Sequence, residues 1–150
     1  MKPCRTLLSF DYGEKKIGVA IGQELTASAR PLTTLYSARG QPDWSAISRL
    51  IDHWRANALI VGLPLKMDDS EQRISQAARR FANRLRGRYQ LPVYLADERL
   101  SSRGAAAILR ERQLAGTPLS REGESIDAVA AVLILDTFFG QTPAERIKLC

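Results

Sequence analysis

The chain has 150 residues with a hydrophobic fraction of 45%, which is typical of one globular domain spanning residues 1–150. No apolar run approaches the roughly 20 residues that a membrane-spanning helix needs, and the N-terminus lacks a signal-peptide pattern, so we expect a cytoplasmic protein without a membrane partner. The net charge of +6 favours a polyanionic partner, and a single histidine, His53, argues against a histidine-based metal site or catalytic triad. Cys4 and Cys150 have neither disulfide-framework nor zinc-site spacing.

Hydrophobic patterning predicts three strands in the first third of the chain, over residues 6–12, 17–22 and 26–35. The short turns between them favour an antiparallel meander, and Pro31 indicates a sheet edge or a bulge for the third strand. Asp43 has the position of an N-cap for a helix that runs to about Arg55.

The rest of the chain alternates strands and helices. Apolar runs predict buried strands over residues 58–62 and 93–96. Helical periodicity and capping residues predict helices over residues 70–89, 101–113 and 125–139. Residues 114–123 are typical of a surface loop, and residues 140–150 of a frayed polar tail. The order β-β-β-α-β-α-β-α-α predicts an α/β fold, a mixed five-stranded sheet with helices on both faces and a site at the carboxyl ends of its parallel strands.

Three carboxylates stand where packing alone does not require them. Asp11 ends the first strand, Glu98 follows the last one, and Asp127 lies in the first turn of an otherwise apolar helix. Clustered carboxylates repel one another unless a cation neutralises them, and Mg²⁺ prefers such oxygen ligands. The pattern therefore favours a site for two divalent ions, which can activate water against a phosphodiester.

Each acid also has a purely structural explanation. Asp11 could bond to the following turn, Glu98 could pair with Arg99 at the surface, and Asp127 could favour the helix N-terminus through its dipole. Six arginines and no acid lie between residues 73 and 88. Arg73, Arg80 and Arg84 share one flank of the predicted helix, which is either a solvated face or a track for a nucleic-acid backbone.

Residues 11–20, Asp-Tyr-Gly-Glu-Lys-Lys-Ile-Gly-Val-Ala, resemble the opening motif of the YqgF family, the Holliday-junction-resolvase-like pre-16S ribosomal RNA nucleases. Three further motifs of that family match in the same order, at residues 61–68, 97–101 and 127–135. The resemblance implies an RNase H-like (ribonuclease H-like) fold and cleavage of nucleic acid that depends on Mg²⁺ or Mn²⁺. It also implies a role in ribosome biogenesis, the maturation of the 5′ end of precursor 16S rRNA.

Matched position by position, the resemblance implies that Asp11, Glu98 and Asp127 are the catalytic and metal-binding acids. Strand alternation lets only one of Asp97 and Glu98 point inward, and we favour Glu98, with Asp97 as the alternative. Lys15 and Arg99 match motif positions suited to substrate phosphates, and Arg103, Arg80 and Arg84 are further candidates for phosphate contact outside the motif match. The chain departs mildly from the family pattern at Lys66, Asp69, Ser102 and Ala128.

Three alternative functions remain open at this point. The same acids could resolve Holliday junctions or other structured DNA, for which a homodimer would suit better than a monomer. A non-catalytic module that binds nucleic acid or the transcription machinery could keep the fold, although it would not need the acids. The strand–Asp–x–Gly–turn–strand opening also occurs in actin-like ATPases, but 150 residues are too few for two lobes around a nucleotide.

Overall fold

The computed structural model describes residues 5–39, 41–63, 73–97 and 126–149. The strands in these ranges are β1 (Thr6–Tyr12), β2 (Lys16–Gln23), β3 (Ser28–Tyr36), β4 (Ala58–Leu63), β5 (Val93–Asp97) and β6 (Ile147–Lys148). The helices are α1 (Trp44–Trp54), α2 (Arg73–Tyr89) and α3 (Ile126–Gly140). No helix in these ranges combines the length and the apolar character needed to cross a bilayer.

The six strands form one mixed sheet in the order β3-β2-β1-β4-β5-β6. β2 pairs antiparallel with both β1 and β3, whereas β1, β4 and β5 run parallel to one another. β3 is an edge strand, and its register with β2 shifts between Val19 and Ala20, where Ala20 pairs with Pro31. The prediction of an edge or a bulge at Pro31 is therefore confirmed on both counts, because proline cannot donate to a ladder of hydrogen bonds.

Within the described ranges the sheet has six strands rather than the predicted five, because the C-terminal segment is not a frayed tail. β6 pairs antiparallel with β5 at the edge of the sheet. Arg146, immediately before β6, donates through Nε to the carbonyl oxygen of Phe138 at 3.2 Å, and its guanidinium carbon lies 3.9 Å from the Phe138 ring centroid. These contacts with α3 hold a segment whose own sequence lacks a strand pattern.

Helices cover both faces of the sheet, as predicted. Leu8 and Phe10 of β1 pack in one core with α1 and α2, whereas Leu7 packs in a second core with α3. Ser9 also faces α3, since its buried Oγ donates to the carbonyl oxygen of Ala131 at 2.6 Å. Successive residues of β1 therefore point to opposite faces of the sheet.

α3 runs antiparallel to β1 across its face of the sheet. Gly22 pairs with β1 near its start, and a Cβ there would lie 3.1 Å from both Leu135 Cδ1 and Phe139 Cζ. Glycine suits this position because a Cβ would be tight against α3 and would require the Leu135 and Phe139 side chains to shift by a few tenths of an ångström. Ser9, further along β1, contacts Ala131, which lies earlier in α3. The N-terminus of α3 consequently lies at the carboxyl end of β1.

α1 has the predicted boundaries. Asp43 is its N-cap and accepts a hydrogen bond from the Ala46 N–H at 3.1 Å, and Arg55 ends the helix in a left-handed conformation with φ of 51°. The predicted helix over residues 101–113 and the predicted loop over 114–123 lie outside the described residues. So do Ser70 and Ser125, the residues that the sequence offers as N-caps of the helices predicted over 70–89 and 125–139.

A carboxylate at Glu24 joins the beginning and the end of the described chain. It accepts hydrogen bonds from the Arg5 guanidinium and, at 3.3 Å, from Nη1 of Arg146. The hydrogen bond from Arg5 is the main reason that the pKa of Glu24 lies below its usual range, against the opposing effect of partial burial.

Replacing Glu24 by glutamine should lower the free energy of unfolding by about 1 kcal/mol near neutral pH. Because the folded-state pKa is depressed, this contribution is fully present above the unfolded-state pKa of about 4.3 and is lost as the pH falls through the folded-state value. The unfolding free energies of the wild type and of Glu24→Gln, measured in urea, should therefore converge as the pH falls below about 4.3 and through the folded-state pKa of Glu24. A stability difference that stays constant over this pH range would contradict the ion-pair explanation.

Candidate active site at the carboxyl edge of the sheet

Asp11 lies near the carboxyl end of β1, on the face of the sheet that α3 covers. Because side chains alternate along a strand, Asp11 points to the same face as Leu7 and Ser9, which both contact α3. The residue is partly exposed, so its charge is not sealed inside the core. Asp11 is therefore a carboxylate that ends an otherwise buried apolar strand and still reaches solvent.

The strands on both sides of Asp11 contribute glycine at its level. Asp11 pairs with Gly18 of β2. On the other side, Phe10 pairs with Val61 of β4, and the same parallel register continued by one residue brings Gly62 beside Asp11. Gly62 in turn pairs with Ala96 of β5. This row of the sheet therefore has only small residues around the carboxylate, which leaves room for an ion or a substrate phosphate beside it.

The first turn of α3 comes to the same edge. From the contact between Ser9 and Ala131, Asp11 is two residues, or about 6.6 Å, further along β1. Asp127 is four residues, or about 6 Å, back along α3. Because the helix and the strand are antiparallel, the two steps go in the same direction, and the backbones of the two acids lie at the same level.

The third predicted acid follows β5, which the structure describes as far as Asp97. Tyr94 and Ala96 belong to the α3 face, and Leu95 belongs to the opposite one. Glu98, Arg99 and Arg103 lie outside the described residues. Among the side chains that are described, no three metal-ligating groups come together. Asp127 is described only by its backbone position.

Lys15 lies exposed on the turn between β1 and β2. Its carbonyl oxygen accepts a hydrogen bond from the Ser37 N–H at 2.9 Å, which fixes the turn against the end of β3. Within the turn, a Cβ at Gly13 would lie 2.6 Å from the carbonyl oxygen of Lys16, so the chain can reverse this tightly only with glycine. The turn therefore holds Lys15 close to the carboxyl end of β1.

The arginine flank of α2 divides into two parts. Arg80 lines an open cavity of about 300 Å³ at the end of β1, together with Tyr12, Glu14, Arg73 and Ala77. Arg84, one turn later, donates to Gln41 Oε1 at 3.0 Å and lies 5.3 Å from the Trp44 ring centroid. Arg84 thus packs against α1, away from the cavity, and its predicted role as a phosphate ligand stays a prediction.

Three residues that the sequence analysis left without a role belong to this region: Ser9, which fixes α3 on β1, and Tyr12 and Glu14, which line the cavity. In the sequence, Ser9 is noticeable as a hydroxyl inside an apolar strand, and Glu14 as an acid inside a basic turn. Neither signal says which distant element the side chain meets.

The donor chemistry of the predicted acids fits a hard divalent cation. Carboxylate oxygens are the ligands that Mg²⁺ and Mn²⁺ prefer, whereas a zinc site would call for histidine or cysteine. The described surroundings of Asp11 agree with this, because glycine on both sides and partial exposure leave space for an ion that retains water.

Comparisons with known proteins agree with this architecture. Residues 5–141 match the family described as "RuvX: Holliday junction resolvase". A Cronobacter sakazakii protein named "Putative pre-16S rRNA nuclease" is 51% identical over 136 residues, which cover 91% of this chain and 96% of that protein. A Pectobacterium carotovorum protein of the same name is 48% identical over 135 residues, which cover 90% and 95% of the two chains.

Solved structures share the fold. Thermus thermophilus RuvC in complex with a Holliday junction substrate superposes with a TM-score of 0.60 at 16% identity, covering 97% of this chain and 99% of that one. The fowlpox virus resolvase in complex with Holliday junction DNA gives 0.56 at 10% identity, covering 89% and 96%. These likenesses confirm the ribonuclease H-like fold. Together with the match over residues 5–141 and the two close relatives, they show that the chain belongs to the RuvX family of Holliday-junction-resolvase-like nucleases.

Proposed function

We propose that the chain is a metal-dependent nuclease that matures the 5′ end of precursor 16S rRNA in the cytoplasm. Its family supports phosphodiester hydrolysis, and the names of its close relatives support this RNA as the substrate. The structural observation that carries the proposal is the position of Asp11. It lies between two glycines at the carboxyl edge of the sheet, level with the first turn of α3.

Asp11, Glu98 and Asp127 are the residues that would hold Mg²⁺ or Mn²⁺, as two ions. Glu98 is favoured over Asp97 because strand alternation lets only one of the two point inward, and Ala96, two positions before Glu98 in the sequence, belongs to the α3 face with Asp11. Bound ions supply the positive charge that activates an attacking water and stabilises the leaving oxygen.

The cationic side chains bind and orient the substrate. Lys15, on the turn after Asp11, and Arg80, beside the end of β1, are suited to the phosphates that flank the scissile one. Arg99, which matches the family motif, and Arg103 are assigned to the same task. Their contacts with the backbone are independent of base sequence, so binding should weaken with salt.

A cleavage panel tests the proposal. Purified protein is incubated with Mg²⁺, Mn²⁺ or EDTA and with a 5′-extended 16S rRNA precursor, single-stranded RNA, single-stranded DNA or a four-way DNA junction. We expect cleavage of the precursor with either metal, about tenfold faster than of the other substrates, and none with EDTA.

Other outcomes of the panel would contradict the proposal in distinct ways. Preferential cutting of the junction at two symmetric positions would make the protein a DNA resolvase, and would call for a homodimer rather than a monomer. RNA binding that survives EDTA, without cleavage under either metal, would make it a non-catalytic binding module.

A further inference from the structure

The cavity beside the end of β1 lies on the opposite side of the sheet from the Asp11 carboxylate. We call it the Tyr12 pocket, lined by Tyr12, Glu14, Arg73, Ala77 and Arg80. Tyr12 follows Asp11 directly, and it packs with the core that contacts α1 and α2. Adjacent residues of one strand therefore carry the predicted metal site on one face and this pocket on the other.

The Tyr12 pocket lies between the Tyr12 ring and one stripe of α2. The Tyr12 ring stacks on Phe81 of α2, with 5.0 Å between the centroids and 29° between the ring planes. Arg73, Ala77 and Arg80 are spaced by four and three residues, so they form one stripe along α2. The small side chain of Ala77 leaves the space between the two arginines open.

The pocket has a net positive charge, because two guanidinium groups face one carboxylate. Among the described residues, neither Arg73 nor Arg80 takes part in a salt bridge. Some other arginines of the described residues do have side-chain partners. Arg5 binds Glu24, and Arg88 lies 4.2 Å from the Trp44 ring centroid. Arg73 and Arg80 are exposed cations that line the same cavity.

We propose that the Tyr12 pocket binds one non-scissile backbone phosphate of the substrate strand, with Arg80 and Arg73 as its ligands. The inference rests on the proposed nuclease function and adds a path for the strand, which crosses the sheet edge from the Asp11 face to the Tyr12 face. Guanidinium groups suit this task because they bind phosphate oxygens through paired, charge-assisted hydrogen bonds.

The Glu14 carboxylate predicts an effect on binding affinity that a merely basic surface would not produce. Its exposed carboxylate lines the same cavity and repels a phosphate there. Glu14→Gln should therefore tighten binding about threefold at low salt, whereas Arg80→Gln should weaken it about tenfold. Arg86→Gln is the matched control, since Arg86 is exposed on the same helix but lines a different cleft, with Lys148.

The first measurement is the affinity for a short single-stranded RNA in EDTA, by fluorescence anisotropy over a range of salt concentrations. Arg80→Gln should reduce the slope of log Kd against log salt by about 0.7, the value for one lost phosphate contact on a single strand. Arg73→Gln should act in the same direction. Arg86→Gln should leave affinity and slope close to the wild type.

The second measurement locates the phosphate. One linkage at a time is replaced by a neutral methylphosphonate, and cleavage is compared with that of the matched phosphate substrate. We expect one non-scissile position at which neutralisation raises KM about tenfold for the wild type but has little effect on Arg80→Gln.

The outcomes separate the two proposals. Equal losses of affinity for Arg80→Gln and Arg86→Gln, or weaker binding by Glu14→Gln, would overturn the pocket while leaving the nuclease function intact. Absence of cleavage with every metal would overturn the nuclease function, and the binding series would still decide whether the pocket holds a phosphate.

Discussion

Asp11→Asn should abolish cleavage, with a loss of about a thousandfold or more, and leave the fold intact. The amide has the size of the carboxylate but carries no charge, so it holds a divalent cation poorly and cannot support the charge that develops on the phosphate. The position is partly exposed and flanked by glycine, so the substitution creates no cavity. The free energy of unfolding without metal should change by about 1 kcal/mol or less.

Metal binding provides a second readout for this variant. A ligand that binds only the folded state raises its stability with concentration, so Mg²⁺ or Mn²⁺ should raise the Tm of the wild type more than that of Asp11→Asn. Asp52→Asn, an exposed acid on α1, is the matched control and should behave as the wild type does in both assays. Full cleavage by Asp11→Asn would show that the three-acid site is wrong.

The parts of the fold and site that could be predicted depend on local patterns. The hairpin of β1 and β2 could be predicted because alternating apolar residues flank a turn that needs glycine at Gly13. Pro31 marked the edge strand because its missing N–H has a purely local effect. Asp11 stood out because a charge at the end of an apolar strand has no packing purpose.

The parts that could not be predicted depend on contacts between distant residues. β6 is a two-residue strand with exposed side chains, held by its pairing with β5 and by Arg146, which reaches Phe138 and Glu24. The Tyr12 pocket likewise needs the stacking of Tyr12 on Phe81, which lies 69 positions away by residue number. Neither contact leaves a periodic signal in the sequence.

The position of α3 connects the fold to the site. The helix is apolar on most of its surface, so hydrophobic burial alone would allow it to slide along the sheet. The hydrogen bond from Ser9 to Ala131 and the close approach at Gly22 remove that freedom, because each is satisfied at only one register. These two contacts thereby bring the helix turn that carries Asp127 level with Asp11.

Phe138→Ala should have the largest effect on stability, lowering the free energy of unfolding by about 3–5 kcal/mol and the Tm by about 10 °C. Phe138 is completely buried, and its ring meets Tyr94 edge to face at a centroid distance of 5.1 Å. Truncation would leave a cavity between α3 and β5 and would remove the surface on which Arg146 lies. Phe139→Ala, at a half-buried neighbour, should cost less, about 1–2 kcal/mol.

The same substitution separates stability from catalysis. Phe138 lies near the C-terminal end of α3, whereas Asp127 lies in its first turn, so the cavity forms far from the predicted acids. At low temperature, where the variant is still folded, its cleavage rate per folded molecule should match that of the wild type. A stability loss below about 1 kcal/mol would contradict the packing argument. A folded variant that cleaves slowly would show instead that the whole of α3, and not only its first turns, sets the position of Asp127.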